Sequence, residues 1–207
     1  MIKQREIRIR RLVKTLNYSR KKQAGKIDIL CNDMVNIHRE FIKTIDTLAF
    51  AAEFYKSIIA ARDLSALLAQ VHQQLKPNLT NSALTFFVKR AASFEVYSFG
   101  QNSPNQAESI DITDLFTDDL LEKLTESVET CSLNELLEWG LPIKPTHAAR
   151  LFINATPITR FGKGIALIVN HGPAKTNPAQ KLTPMITAIN EGLYKAIDSL
   201  SHCPAAT

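Results

Sequence analysis

The sequence predicts an α+β protein in which a long N-terminal helix precedes an antiparallel sheet flanked by helices. Residues 2–61 contain no proline and a single glycine, Gly25, so that nothing strong ends a helix there. Two pairs of short apolar segments further on have the pattern of paired strands. Helical apolar spacing lies before, between and after these pairs. This order predicts a sheet with its helices on one side.

Length and composition limit the number of domains. A chain of 207 residues, 45% apolar and 22% charged, can bury one core of ordinary domain size. We expect a coiled-coil helix over residues 1–61, an α/β domain over residues 62–200 and a tail over residues 201–207. No apolar run reaches the roughly 20 residues of a membrane span, and the N-terminus lacks the apolar core of a secretory signal. We therefore expect a cytoplasmic protein.

A heptad repeat runs along the N-terminal helix. When Ile27 is placed at position a, the a and d positions are mostly apolar over more than the three or four heptads that indicate a coiled coil. The residues that we expect to form the dimer interface, called the seam residues below, are Ile27, Leu30, Met34, Ile37, Phe41 and Leu48. Arg20 and Gln23 interrupt the repeat and, with Gly25, mark a weak joint. Beyond Phe41 the apolar stripe widens, and packing against the chain's own domain fits equally well.

The predicted domain contains four strands and four helices. The strands are residues 83–89, 94–99, 150–158 and 164–170. The helices are residues 64–75, 113–128, 132–139 and 178–200. Asp63 is placed to cap the first of these helices, and Gly140 to end the third. The second strand pair is expected to turn at residues 161–164, Phe-Gly-Lys-Gly.

The positive charge is concentrated in residues 1–26, called the basic arm below. The arm holds ten of the 25 Lys and Arg residues and one of the 20 acids, so it carries about +9 and the rest of the chain about −4. The residues expected to bind a polyanion are Arg5, Arg8, Arg10, Arg11, Lys14, Arg20, Lys21 and Lys22. Nucleic acid, an anionic membrane surface and an acidic protein all suit such a charge. The alternative is a solvated basic end without a partner.

The sequence lacks the residue constellations typical of enzymes and metal sites. Its five histidines make no metal-ligand pair on one helical turn. Cys31, Cys131 and Cys203 fit neither a disulfide framework nor a Cys-x-x-Cys site. No Gly-x-Ser-x-Gly turn presents a nucleophile, and the glycines of residues 161–164 lack phosphate-loop spacing. We expect reduced thiols, no catalytic site and no metal, and the sequence names no cofactor.

Two stretches resemble the GAF family of small-molecule sensor domains. Residues 55–71, YKSIIAARDLSALLAQV, are similar to the family's opening, in which a connecting helix passes a short polar break into a Leu-rich helix. Residues 155–169, ATPITRFGKGIALIV, look like the family's closing hairpin. The resemblance spans about residues 48–200. It implies a sensor fold, but these motifs are structural and name no ligand.

The resemblance also implies a ligand between the sheet and the helical insert. The residues that it places there are Phe87, Tyr97, Phe99, Leu121, Leu136, Trp139, Phe152 and Asn154. Trp139 is the preferred ligand contact, and the alternative is that all eight simply fill the core. The Asn-Lys-x-x-Phe-Asp-Glu type signature of cyclic-nucleotide binders is missing. Ser132 follows Cys131 where bilin binders usually carry histidine.

Together these features predict a non-catalytic, homodimeric regulatory protein. Because no output segment follows residue 200, the signal is expected to pass through the N-terminal helix or to a separate signalling partner. One alternative is a binding adaptor whose domain holds no ligand. Another is a nucleic-acid-binding protein that acts through the basic arm.

Overall fold

The computed structural model describes residues 2–79, 81–100, 112–173 and 179–202. The chain divides into two compact units, Met1–Asp46 and Thr47–Thr207. The second unit therefore begins before residue 62, where the sequence placed the start of the domain. The physical reason is that Phe50 and Phe54, near the end of the first helix, are buried in the domain core.

The first helix, α1, runs without interruption over Ile2–Ala60. The predicted joint at Arg20, Gln23 and Gly25 does not break it, since an isolated glycine costs a helix only about 1 kcal/mol. The predicted long helix is thus confirmed in extent. Among the described residues, no helix is both long and apolar enough to cross a membrane.

Among the described residues, five further α-helices belong to the domain. They are α2 (Leu64–Leu75), α3 (Asp118–Glu126), α4 (Leu133–Glu138), α5 (Pro145–Ala148) and α6 (Ala179–His202). The predicted cap of α2 is confirmed, because the Asp63 carboxylate accepts a hydrogen bond from the Ala66 N–H at 2.7 Å. The helix predicted over residues 113–128 is instead a 3-10 turn, Ile112–Leu115, followed by α3. Thr117 adopts an extended conformation between them and caps α3 with its hydroxyl.

Five antiparallel strands form one sheet. They are β1 (Ala83–Arg90), β2 (Ser93–Phe99), β3 (Cys131–Ser132), β4 (Leu151–Arg160) and β5 (Lys163–Pro173), in the order β2-β1-β5-β4-β3. Both predicted strand pairs are hairpins, and the second pair turns at Phe161 and Gly162, within the predicted residues 161–164, while Lys163 and Gly164 belong to β5. Phe161 and Gly162 have positive φ there, as a two-residue turn between twisted strands requires.

Helices cover both faces of the sheet, so the expectation of helices on one side is wrong. Residues of α1, α2 and α6 form the first core with side chains such as Phe86 and Ile168. Residues of α3 and α4 form the second core with side chains such as Phe87 and Leu167. Neighbouring residues along β1 and β5 thus point to opposite faces. Both faces are covered, which is why these strands read as continuous apolar runs.

Candidate functional site

Three of the eight predicted ligand contacts lie between the sheet and the helical insert. Phe87, Leu121 and Leu136 are all buried in the second core. The ring centroids of Phe87 and Phe116 lie 5.3 Å apart. These side chains pack on one another at this face, which is what the core-filling alternative expects of them.

Two other predicted contacts, Tyr97 and Phe99, pack against the first core on the opposite face. The β1–β2 register pairs Tyr97 with Phe86, and Phe86 points away from Phe87. The Phe99 ring stacks on the His72 imidazole with centroids 5.3 Å apart. Tyr97 and Phe99 are therefore separated by the sheet from the side chains predicted to share their site.

The remaining three predicted contacts lie towards the β3 side of the sheet or at the end of α4. Phe152 and Asn154 line a small cleft of about 190 Å³ together with residues 132–134. Trp139 follows the last residue of α4 and is 38% exposed. The structure does not bring the eight predicted contacts to one site, and the role of Trp139 as a ligand contact stays a prediction.

An apolar groove of about 380 Å³ lies on the face of the domain that carries α2 and α6. Its lining residues are Tyr55, Ile58, Ala61, Leu67, Gly192, Lys195, Ala196, Ser199 and Leu200. Gly192 admits the Tyr55 ring, since a Cβ at Gly192 would lie 2.5 Å from a ring carbon. Apolar spacing in the sequence gives no sign of this groove, because its walls come from segments far apart in the chain.

Asn170 has a buried side-chain amide with no hydrogen-bond partner among the described residues. The residue is 4% exposed, and neither its Nδ2 nor its Oδ1 has a partner in the described structure. Its partners in the sheet register are Leu84 and Asn154. Leaving a buried polar group unpaired costs about 1–3 kcal/mol. The sequence signal for this position is a lone polar residue at the end of the apolar run Ile165–Ala166–Leu167–Ile168–Val169.

The surroundings of three titratable groups in the domain shift their pKa values. Burial raises the pKa of the Cys131 thiol, which keeps it protonated and poorly nucleophilic. Burial, and then the charge of Lys76, lower the pKa of His72. Burial and a 2.8 Å hydrogen bond to Glu95 raise the pKa of Tyr97. Within the described residues, no group of three or more His, Cys, Asp or Glu side chains could hold a metal ion.

The seam residues are all exposed to solvent in the single chain. Their exposed fractions range from 59% for Ile27 to 70% for Met34. Exposed apolar side chains in a contiguous row mark an interaction surface. The eight cations predicted to bind a polyanion are likewise exposed.

Comparisons with known proteins agree with the architecture. No protein-family model matches the sequence, and no curated protein matches it significantly. Among solved structures, the chain is similar to the GAF domain of a phosphoenolpyruvate-protein phosphotransferase from Coxiella burnetii, with a TM-score of 0.52, 14% identity, and coverage of 75% of this chain and 94% of that chain.

Two further solved structures are similar to a lesser degree. The GAF domain of A. Aeolicus nlh2 in an inactive state gives a TM-score of 0.48 at 12% identity, covering 76% of this chain and 98% of that chain. A GAF domain/HD domain protein from Geobacter sulfurreducens gives a TM-score of 0.45 at 15% identity, covering 68% of this chain and 93% of that chain. The five-stranded antiparallel sheet flanked by helices and the match to the Coxiella burnetii domain show that this chain has a GAF-like fold.

Proposed function

We propose that the protein is a non-catalytic, dimeric regulatory protein, in which α1 joins two chains and the GAF-like domain receives the signal. The observation that supports this most is the row of exposed seam residues. Fully burying one Leu, Ile, Phe or Met side chain stabilises the buried state by about 1.5–3 kcal/mol relative to the exposed state. Six such residues at heptad spacing therefore favour association with a second helix.

The last part of α1 offers a physical route between the domain and the helix. Phe50 and Phe54 are part of the first core, together with residues of α2 and α6. A rearrangement of that core on binding would have to move these two side chains, because packed interiors accommodate change in discrete shifts. We propose that the signal passes to α1 in this way.

A second candidate function is a binding adaptor whose domain holds no small molecule. The observation that favours it is the packing of Phe87, Leu121 and Leu136 in the second core, at the position where the resemblance placed a ligand. In this version the surface of the domain, and not an internal ligand, recruits the partner.

Native mass spectrometry of the freshly purified full-length chain tests the proposal. We expect a dimer from wild type and a monomer from the double variant Leu30→Glu, Ile37→Glu, because carboxylates at two d positions repel across the seam. The matched control is Asn32→Glu, Asn36→Glu, which adds the same charge outside the seam and should remain dimeric. A wild-type chain that stays monomeric at micromolar concentration contradicts the proposal.

The same spectra separate the two versions of the function. A dimer that carries extra mass has retained a small molecule, as a sensor would. An empty dimer that also shows no change in melting temperature with added small metabolites supports the adaptor.

A further inference from the structure

We propose that the basic arm binds double-stranded nucleic acid along one face of α1. The helix is continuous through the arm. Because α1 is helical from Ile2, every cation of the arm except Lys3, whose side chain lies outside the described residues, has a defined place on a helix of 3.6 residues per turn.

Most cations of the arm lie opposite the apolar residues at its a and d positions, although Ile7 and Tyr18 fall on the same side as the cations. At about 100° per residue, seven of the cations fall within about 160° of the circumference. They are Arg8, Arg10, Arg11, Lys14, Lys21, Lys22 and Lys26. Ile9, Val13 and Leu16 lie opposite, at a and d positions of the heptad. Arg5 and Arg20 are the exceptions, since they fall on the apolar side.

The basic face carries no compensating charge within the described structure. The ion pairs of the protein involve Lys43, Lys56, Lys89, Arg90 and Lys195, all outside the arm. The one acid of the arm is Glu6. A concentrated, uncompensated field of this kind attracts polyanions and raises their association rates.

The dimensions and side chains favour duplex nucleic acid as the polyanion. The helix from Arg5 to Lys26 is about 31 Å long at about 1.5 Å per residue, close to the roughly 34 Å of one turn of B-DNA. Arginine matches phosphate oxygens with two parallel hydrogen bonds. Tyr18 is the single aromatic residue of the arm, which disfavours a single strand, whose bases need stacking partners.

The choice of nucleic acid over a membrane rests on the proposed self-association. An amphipathic helix binds a membrane by burying its apolar side in the lipid interface. If Ile9, Val13 and Leu16 face a second α1, that side is occupied, and the side left outside carries the seven cations beside Ile7 and Tyr18. A row of exposed cations is enough to bind the phosphates of a duplex.

Fluorescence anisotropy with the full-length protein and a 30-base-pair duplex DNA tests the proposal. The variant neutralises Arg8, Arg11, Lys14, Lys21 and Lys22 to Gln. The matched control neutralises five exposed cations of the domain, Lys76, Lys144, Arg150, Lys163 and Lys181, to Gln. Both variants remove the same charge, so only the position of the charge differs.

We expect the control to bind like wild type and the arm variant to bind at least about 100-fold more weakly at 0.1 M salt. The slope of log affinity against log salt should become shallower by roughly one for each phosphate that the variant no longer neutralises. Equal losses of affinity in the two variants would overturn the proposal, as would tighter binding of a single strand of the same length. Binding to vesicles containing phosphatidylserine without binding to the duplex would assign the arm to membranes instead.

Two controls keep this result separate from the proposed dimer. Circular dichroism checks that the arm variant retains its helix, and native mass spectrometry checks its subunit number. A dimeric arm variant that no longer binds DNA supports both proposals. A monomeric wild type that binds DNA leaves the arm's function standing and removes the dimer.

Discussion

Phe41 and Phe54 lie on the same helix in opposite surroundings. Phe41, in the first unit, is 60% exposed, whereas Phe54, in the second, is fully buried among residues of α2, α6 and the sheet. The same kind of apolar spacing is therefore satisfied inside the chain at one end of α1 and left open at the other. An apolar stripe alone does not show whether the rest of the same chain covers it.

Truncating the two phenylalanines should have effects of different kinds. Phe54→Ala is expected to lower the free energy of unfolding of the domain by about 3–5 kcal/mol, because it leaves a cavity in the first core. Phe41→Ala should leave the domain unchanged in urea unfolding and weaken the dimer. Equal losses of domain stability from the two variants would show that Phe41 is buried after all.

One glycine in the domain and one in the exposed part of α1 also have different surroundings. A Cβ at Gly164 would overlap the backbone carbonyl group of Thr125, next to the end of α3, whereas nothing lies within 4 Å of one at Gly25. We expect Gly164→Ala to destabilise the domain by about 1–3 kcal/mol. Gly25→Ala should instead stabilise α1 by about 1 kcal/mol. Thermal unfolding followed by circular dichroism measures both, and a neutral Gly164→Ala would mean that α3 does not pack at this point.

Replacing each of two asparagines of the domain by leucine should change the free energy of unfolding in opposite directions. Asn170→Leu removes an unpaired buried amide and is expected to raise the free energy of unfolding by about 1–2 kcal/mol. Asn190→Leu is the control, because Asn190 Oδ1 accepts a hydrogen bond from the Thr159 N–H at 3.1 Å. Loss of this hydrogen bond should lower the free energy of unfolding by about 1 kcal/mol. A destabilised Asn170→Leu in chemical unfolding would show that the amide has a partner in solution.

Protonation of His72 should lower the free energy of unfolding of the domain in acid. The change should be smaller than those expected from the substitutions above. The folded pKa of His72 lies below the ordinary value of about 6.5, so the unfolded chain binds the proton first as the pH falls. Its contribution is present above about pH 6.5 and is lost between that pH and the folded pKa. His72→Phe keeps an aromatic ring beside Phe99 and should flatten the decrease in urea midpoint between pH 7 and pH 5. His38→Phe, on the exposed part of α1, is the control.

The elements of the domain could be predicted from sequence wherever a period or a turn signal was strong. Both hairpins, α2 with its Asp63 cap, and α6 were predicted close to their observed bounds. β3 was missed because two residues are too few to show an alternation. The long helix predicted over residues 113–128 was wrong because the break at Thr117 depends on a local side-chain cap that apolar spacing does not report.

The candidate ligand contacts could not be predicted from sequence because strand register was unknown. The pairing of Phe87 with Val96 places Tyr97 and Phe99 on the other face of the sheet, and a shift of one residue would have reversed this. The groove beside Gly192 and Tyr55 likewise depends on two helices meeting across many residues of sequence.

The sequence by itself determined which segments are helices or strands, where the positive charge lies, and which faces of α1 are apolar, since these follow from local spacing and composition. Tertiary structure alone decided which apolar faces are buried, which strand side chains share a face, and which buried polar atoms of the described residues lack a hydrogen-bond partner. The physical reason is that burial depends on what packs against a residue, and that neighbour is often far away in the chain.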